Sequence, residues 1–222
     1  MEKKIKAVKN RVTPRKRLKD PDHAKKPSLR ISNIVYGREK LGTRVFYLAD
    51  QKGGGTKKYI AERVVLYRWK KRIFEGYNFY GSRLNPKIWR ILVRIFGSDP
   101  KAWIKLSIED IQQQLDLQKA SIRERFERLP DPRTIYALFE VCGISRLQKI
   151  IDRHNDPERR DCYGTPDLFL YAIEKQSSRA TIARFVEVKK PEETVKPDQH
   201  EEINFLQSLG LHARILRLDE RD

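Results

Sequence analysis

The chain has 222 residues, 39% of them hydrophobic and 35% charged, enough to bury a core without disulfides or a structural metal beneath a very polar surface. Lys and Arg number 48 against 30 Asp and Glu, a formal net charge of +18, and residues 1–100 alone hold 27 bases and 8 acids. No apolar run approaches the roughly 20 residues of a membrane span, and two cysteines, Cys142 and Cys162, make no disulfide framework, so membrane protein, secreted scaffold and coiled coil are disfavoured.

The opening MEKKIKAVKNRV lacks the apolar core of a secretory signal, so an intracellular setting, cytoplasm or nucleus, is expected. The one-sided charge points to a polyanionic partner, because each neutralised phosphate releases condensed counterions. Solubility alone, or an anionic membrane surface, are the competing explanations.

Residues 1–28 read as a basic, disordered tail: Pro14, Pro21 and Pro27 stand among many bases and few large apolar residues, too little to offset the entropy of ordering. Pro14-Arg15-Lys16-Arg17 is a nuclear address, a phosphate-gripping arm or a solvated end. Residues 29–222 read as one domain, with strands and a helical part over 29–155 and a hairpin, helix and last strand over 156–222. Within it, Leu29–Val35 and Thr43–Leu48 alternate as strands. Gly53-Gly54-Gly55 lack the GxxxxGK[ST] spacing of a phosphate loop and read as a hairpin loop.

Helical spacing of Ile60, Val64, Tyr67 and Ile73 predicts a helix from about Tyr59 to Arg72. Glycines and Pro86 interrupt the pattern over 76–86, and Ile88–Phe96 resumes it. Ser107 with Asp110 three positions on opens a helical block over 107–128. Pro130 and Pro132 break that block, and Thr134–His154 is helical again with an interruption at Gly143. Leu168–Ile173 and Ile182–Val188 are β-rich runs around the polar EKQSSRA, a hairpin. Pro197 opens a helix stopped at Gly210, and Leu211–Leu218 is a last strand. Helix, strand, strand, helix, strand is a small α/β core.

Asp167 opens the first strand of that hairpin, and Glu187 and Lys189, two apart on the second, point to one face while Val186 and Val188 point to the other. Two carboxylates, an ammonium and the Val188 carbonyl suit a hard divalent ion, Mg²⁺ or Mn²⁺, that polarises a phosphorus centre and acidifies a bound water. The lysine orients that water or offsets charge on the phosphorus. A cross-strand salt bridge on an exposed strand is the plain alternative.

GTPDLFL, then RFVEVKKPEETVKPDQ, a helix, and SLGLHARILRL resemble the VRR-NUC (virus-type replication-repair nuclease) domain of the PD-(D/E)xK superfamily. The matching positions are Gly164, Pro166, Asp167, Glu187, Lys189 and Gln199. KYIAERVVLYRWKKRIFEGYNFYGS and FEVCGISRLQKIIDRHNDPERRDCYGTPDLFL are similar to the nuclease portion of the Fanconi-associated structure-specific nuclease family. That resemblance implies a restriction-endonuclease-like (PD-(D/E)xK) core, a small mixed sheet flanked by helices with a helical insertion before the catalytic hairpin. It implies a metal-dependent deoxyribonuclease for flapped or branched DNA in repair or replication, with Asp167, Glu187, Lys189 and Gln199 at the site. A Holliday-junction-resolvase-like enzyme and a catalytically impaired DNA-binding protein are the alternatives.

Laid over the family pattern, FEGYNFYG puts Tyr80 where the first metal-binding Glu would stand, and tyrosine is a poor Mg²⁺ ligand. Glu75 or Glu62 takes that place, or Asp167, Glu187 and the Val188 carbonyl suffice, or the enzyme is impaired. Reduced ligation and substitution by Glu75 are favoured, while Glu62 reads as a structural position or a helix surface charge. Arg68, Lys70, Lys71, Arg72, Arg83 and Lys190 are phosphate-contact candidates, and Tyr67, Trp69 and Trp89 read as core aromatics. His154, His200 and His212 show no zinc spacing with the cysteines. Oligomeric state stays open.

Overall fold

A computed structural model of the protein describes residues 46–49, 56–119, 129–159, 164–190 and 193–218. The tail 1–28, the expected strand Leu29–Val35 and Cys162 lie outside these. Two short strands, β1 (Phe46–Ala49) and β2 (Thr56–Tyr59), pair antiparallel, and the expected hairpin loop at Gly53-Gly54-Gly55 lies outside the described residues. Helix α1 (Ala61–Lys70) follows.

Strand β3 (Tyr77–Arg83) comes next, where the sequence reading saw only an interruption. Its alternation is masked by Gly76 and Gly81. Gly81 is there for a reason of space: a Cβ at that position would stand 2.8 Å from Leu170 Cδ2 and 3.1 Å from the Phe169 carbonyl of the neighbouring strand.

Helices α2 (Ile88–Phe96), α3 (Pro100–Trp103), α4 (Ile108–Lys119) and α5 (Pro132–Asn155) then cross one face of the sheet. The Ser107–Asp110 box closes as read, each residue's side chain accepting from the other's backbone N–H at 2.9 and 3.0 Å. Asp131 caps α5 through the Thr134 N–H with Pro132 in the first turn, and Gly143 at φ 65°, ψ 169° breaks the helix in two.

Strands β4 (Leu168–Glu174) and β5 (Ala180–Lys189), helix α6 (Pro197–Ser208) and strand β6 (Ala213–Arg217) complete the fold. The sheet order is β3-β4-β5-β6, antiparallel except for the parallel β5–β6 pair, across which α6 is the connection. This is the expected small mixed sheet flanked by helices.

Both faces of the sheet are covered, so β4 reads as a continuous apolar run rather than an alternating one. Leu168, Leu170, Ala172, Val186 and Val188 pack with Val64, Val65 and Trp69 of α1. Phe169, Tyr171 and Phe185 pack on the other face with residues of α2, α5 and α6. Fully burying a side chain such as Phe169 contributes about 1.5–3 kcal/mol. The Trp69 indole N–H donates to the Tyr80 and Tyr171 carbonyls at 2.6 and 3.1 Å, pinning α1 over β3 and β4. Trp69 and Trp89 are core as expected, whereas Tyr67 is exposed, with the Lys71 ammonium 5.7 Å above its ring.

Candidate metal centre

The segment Gly164-Thr165-Pro166-Asp167 is placed by three contacts. Gly164 lies against α6, where a Cβ would meet the Asp198 carbonyl at 2.6 Å. The Thr165 hydroxyl donates to the Pro86 carbonyl at 2.9 Å, and the Leu84 N–H to the Asp167 carbonyl at 2.8 Å. Asp167 is thereby fixed at the end of β4, beside the end of β5.

Its Oδ2 accepts the Val188 N–H at 2.8 Å. In an extended strand a residue's N–H and C=O point to the same edge, so the Val188 carbonyl also faces Asp167. Glu187 and Lys189 share a face of β5 and are 3% exposed each. The Lys189 ammonium lies 3.0 Å from Glu187 Oε1 and 3.5 Å from Glu193 Oε1. From α6, the Gln199 amide donates to the same Glu187 oxygen at 2.5 Å, while its carbonyl accepts the Lys196 N–H at the helix start.

Burial pushes the Glu187 carboxyl up to about 7, the Asp167 charge adding to the rise, against the opposing pull of Lys189. Asp167 is raised in turn, by burial first and by the Glu62 and Glu193 carboxylates, with the Val188 N–H and Lys189 opposing. Burial pulls the Lys189 ammonium down, but Glu187, Glu193 and Asp167 outweigh it and its affinity for the proton rises.

Two desolvated carboxylates, each raised towards protonation, form a donor set that a cation would relieve. Among the described residues, no three Asp, Glu, His or Cys side chains cage a metal by themselves. The residues fit Mg²⁺ or Mn²⁺ in a different way. Asp167, Glu187 and the Val188 carbonyl could supply oxygens to such an ion, which usually keeps several waters and binds phosphate oxygens.

The structure does not bring Glu75 to this group. Leu84 hydrogen-bonds Asp167 at one end of β3, and Glu75 lies beyond the other end, at least about 20 Å away at the rise of a strand. Tyr80 is opposite Tyr171 in mid-sheet with the two rings stacked at 5.5 Å, about 13 Å along the strand from the Asp167 contact. Tyrosine there packs against Tyr171, away from the Asp167 group. Besides Glu193, the carboxylate that acts on Asp167 is Glu62, in the first turn of α1, held by Arg83 at 3.5 Å. The sequence reading weighed Glu62 as a substitute ligand but favoured a structural position or a helix surface charge for it.

The basic candidates are dispersed. Arg83 pairs with Glu62, Lys71 lies over Tyr67, Arg72 over the Trp69 ring at 5.2 Å, and Lys190 follows directly on the Glu187–Lys189 strand. Arg68 is half-buried on α1, and Lys70 lines a cavity of about 950 Å³ between β3, α4 and the start of α5. None of Asp167, Glu187 or Lys189 lines that cavity. Of the histidines, His154 is committed elsewhere: its Nε2 is 2.9 Å from the buried Glu202, which also takes the Arg153 guanidinium at 3.0 Å. His200 and His212 are exposed.

At the adjoining ends of β4 and β5, the two inner strands, Asp167, Glu187 and Lys189 stand beside Gln199 of α6. The model of the VRR-NUC domain family matches residues 99–219, more than half of the chain and all of Asp167, Glu187, Lys189 and Gln199. The chain belongs to the VRR-NUC domain family. Among solved structures it is similar to paFAN1 bound to DNA with a two-nucleotide 5′ flap and a gap, at 15% identity and a TM-score of 0.44 over 72% of this chain and 35% of that one. It is similar as well to paFAN1 bound to a one-nucleotide 5′ flap with a gap, at 15% identity and a TM-score of 0.43 over 76% of this chain and 36% of that one. The chain thus spans about a third of the length of those proteins. No curated protein matches the sequence.

Proposed function

We propose that the protein is a Mg²⁺- or Mn²⁺-dependent deoxyribonuclease that hydrolyses phosphodiester bonds in flapped or branched DNA. The observation that carries the reading is the convergence of Asp167, Glu187 and Lys189, with Gln199, on one desolvated spot of a VRR-NUC domain. The basic first hundred residues supply the attraction to a polyphosphate backbone. The paFAN1 relatives were solved on 5′-flap DNA, which makes that substrate the first to try.

When bound, the divalent ion neutralises charge on the phosphate and lowers the pKa of a coordinated water. The rest falls to the chain. Asp167 and Glu187 would hold the ion with the Val188 carbonyl, and Gln199, hydrogen-bonded to Glu187 Oε1, orients that carboxylate. Lys189, charged because three carboxylates surround it, hydrogen-bonds the attacking water and offsets negative charge as the phosphorus becomes pentacovalent. Glu62, paired with Arg83, adds negative potential near Asp167.

Incubating the purified chain in Mn²⁺ with labelled 5′-flap, splayed-arm and four-way DNA is the test. Cleavage of the flap, lost in Asp167→Ala and Lys189→Ala, is expected. Failure of the wild type to cut any of the three, or cleavage that survives both substitutions, overturns the reading. Paired symmetric nicks confined to the four-way substrate instead replace the flap assignment with a resolvase.

A further inference from the structure

Helix α6 brings Gln199 to Glu187, yet the apolar residues that seat the helix lie in its second half. Ile203 and Leu206 are buried there, whereas over Pro197 to Glu202 it is Glu202, 3% exposed, that is buried. Glu202 stands three residues after Gln199, on the same side of the helix.

Both Glu202 oxygens are engaged by the last turn of α5. Oε1 lies 2.9 Å from His154 Nε2, and Oε2 accepts the Arg153 Nε–H at 3.0 Å. Burial raises the Glu202 carboxyl, but His154 and Arg153 outweigh it, and its proton affinity falls below the ordinary value. The two partners are fixed in turn. The Arg153 guanidinium lies 4.4 Å from the centre of the Phe205 ring, a turn further along α6, and reaches Glu201 at 3.6 Å. The Arg90 Nε–H of α2 donates to the His154 carbonyl at 2.7 Å. Three helices, α2, α5 and α6, are thus tied at one point.

Apolar contact is non-directional, whereas two hydrogen bonds with narrow angular limits fix both the rotation and the axial position of a helix. Replacing a buried ion pair by well-packed apolar side chains is often neutral or stabilising, so stability alone does not explain an ionised carboxylate at this place. What the carboxylate supplies is register, and the contact that depends on the register of α6 is the one from Gln199 to Glu187.

We propose that Glu202, clamped by Arg153 and His154, is a positioning residue of the metal centre: it sets the rotation and height of α6 so that Gln199 meets Glu187. The proposal rests on the nuclease reading above. Glu202 acts through Gln199 and is not itself a metal ligand, since His154 and Arg153 occupy its oxygens.

The test uses the full chain as wild type, Glu202→Leu, Glu202→Gln, Gln199→Leu and the double variant Glu202→Leu/Gln199→Leu. Each is melted in EDTA and titrated with Mn²⁺ by calorimetry. Its kcat and KM are measured on 5′-flap DNA at a temperature where the melt shows it fully folded. Glu202→Leu is expected to lower kcat about tenfold and to weaken Mn²⁺ binding, with KM near the wild-type value. Glu202→Gln keeps the shape and an acceptor for Arg153, and is expected to recover part of both. On the Gln199→Leu background, Glu202→Leu is expected to add less than about twofold, because both changes reach Glu187 by one path.

Lower melting with kcat and Mn²⁺ affinity intact overturns the proposal, and so do losses that multiply in the double variant. Should Glu202→Leu not fold, His154→Leu, which leaves Glu202 paired with Arg153, goes through the same cycle with the same expectations. A wild type that neither binds Mn²⁺ nor cuts any substrate sinks the nuclease reading and this proposal with it. A wild type that cuts, with folded Glu202→Leu cutting as well, sinks the positioning role alone.

Discussion

Gln199 joins α6 to Glu187 through both ends of one amide: its carbonyl accepts the Lys196 N–H at 3.0 Å and its NH₂ donates to Glu187 Oε1 at 2.5 Å. Only a side chain with donor and acceptor can do both. Gln199→Glu keeps the acceptor that caps the helix and turns the other contact into a repulsion between carboxylates. Gln199→Leu loses both. Both variants are expected to lower kcat by about ten- to a hundredfold with little change in KM, as for partners that orient metal ligands. Gln199→Leu is also expected to cost about 1 kcal/mol through the lost cap. Steady-state kinetics and melting check this, and an unchanged kcat in Gln199→Glu refutes the positioning role.

The placement of the acids separates Glu62 from Glu75. Glu62 raises Asp167 from the first turn of α1, whereas Glu75 lies past the far end of β3. Glu62→Gln is expected to weaken metal binding or activity about tenfold or more. Glu75→Gln is expected to leave both at the wild-type level. Tyr80→Glu is expected not to raise activity and to lower stability by about 1–3 kcal/mol, because it replaces a ring stacked on Tyr171 with a partly buried charge. Metal titrations and melts of the three variants decide it. Higher activity in Tyr80→Glu restores the aligned-position reading.

Much of this was legible in the residues, for local reasons. The strand alternation of Glu187 and Lys189, the Pro197 helix start and the break at Gly143 are short-range features, and each is found where the sequence placed it. Strand β3 was hidden because the space at Gly81 is limited by the side chain of Leu170, 89 residues away in sequence order, rather than by its neighbours. Without β3, Tyr80 was read as a tyrosine in the place of a metal-binding Glu rather than as the partner of Tyr171. Glu62 was weighed but passed over for a related cause: its effect on Asp167 comes from what the tertiary fold lays beside that helix turn.

The raised Glu187 carboxyl makes stability and metal affinity depend on pH in opposite directions. Glu187 holds its proton up to about 7 when folded and up to its ordinary value of 4.5 when unfolded. As pH climbs between those values the unfolded chain binds fewer protons, so this group alone destabilises the metal-free fold by about 3 kcal/mol, a loss complete above pH 7. The cation needs both carboxylates ionised and so binds best where the metal-free fold is weakest. Mn²⁺ is expected to raise the melting temperature clearly more at pH 8 than at pH 5.5, and Glu187→Gln to flatten the difference. Equal shifts at the two pH values contradict the assignment.

Gly164 tests whether the approach to Asp167 is a spacing device. Its Cβ position is 2.6 Å from the Asp198 carbonyl and 3.0 Å from Glu202 Cβ, both on α6. The first of these is backbone and has no rotamer in which to retreat. In Gly164→Ala either the loop or α6 must move, and overpacking of this kind costs about 1–3 kcal/mol. The movement is felt at the site, because α6 carries Gln199 and the same loop carries Asp167. Gly164→Ala is therefore expected to lose activity beyond what its stability loss explains, with cleavage reduced at temperatures where melting shows the chain fully folded. Asp198→Ala removes no part of the backbone contact and is expected not to rescue it. Full activity in folded Gly164→Ala would show that α6 and the Asp167 loop tolerate separation, and that the tight approach is packing alone.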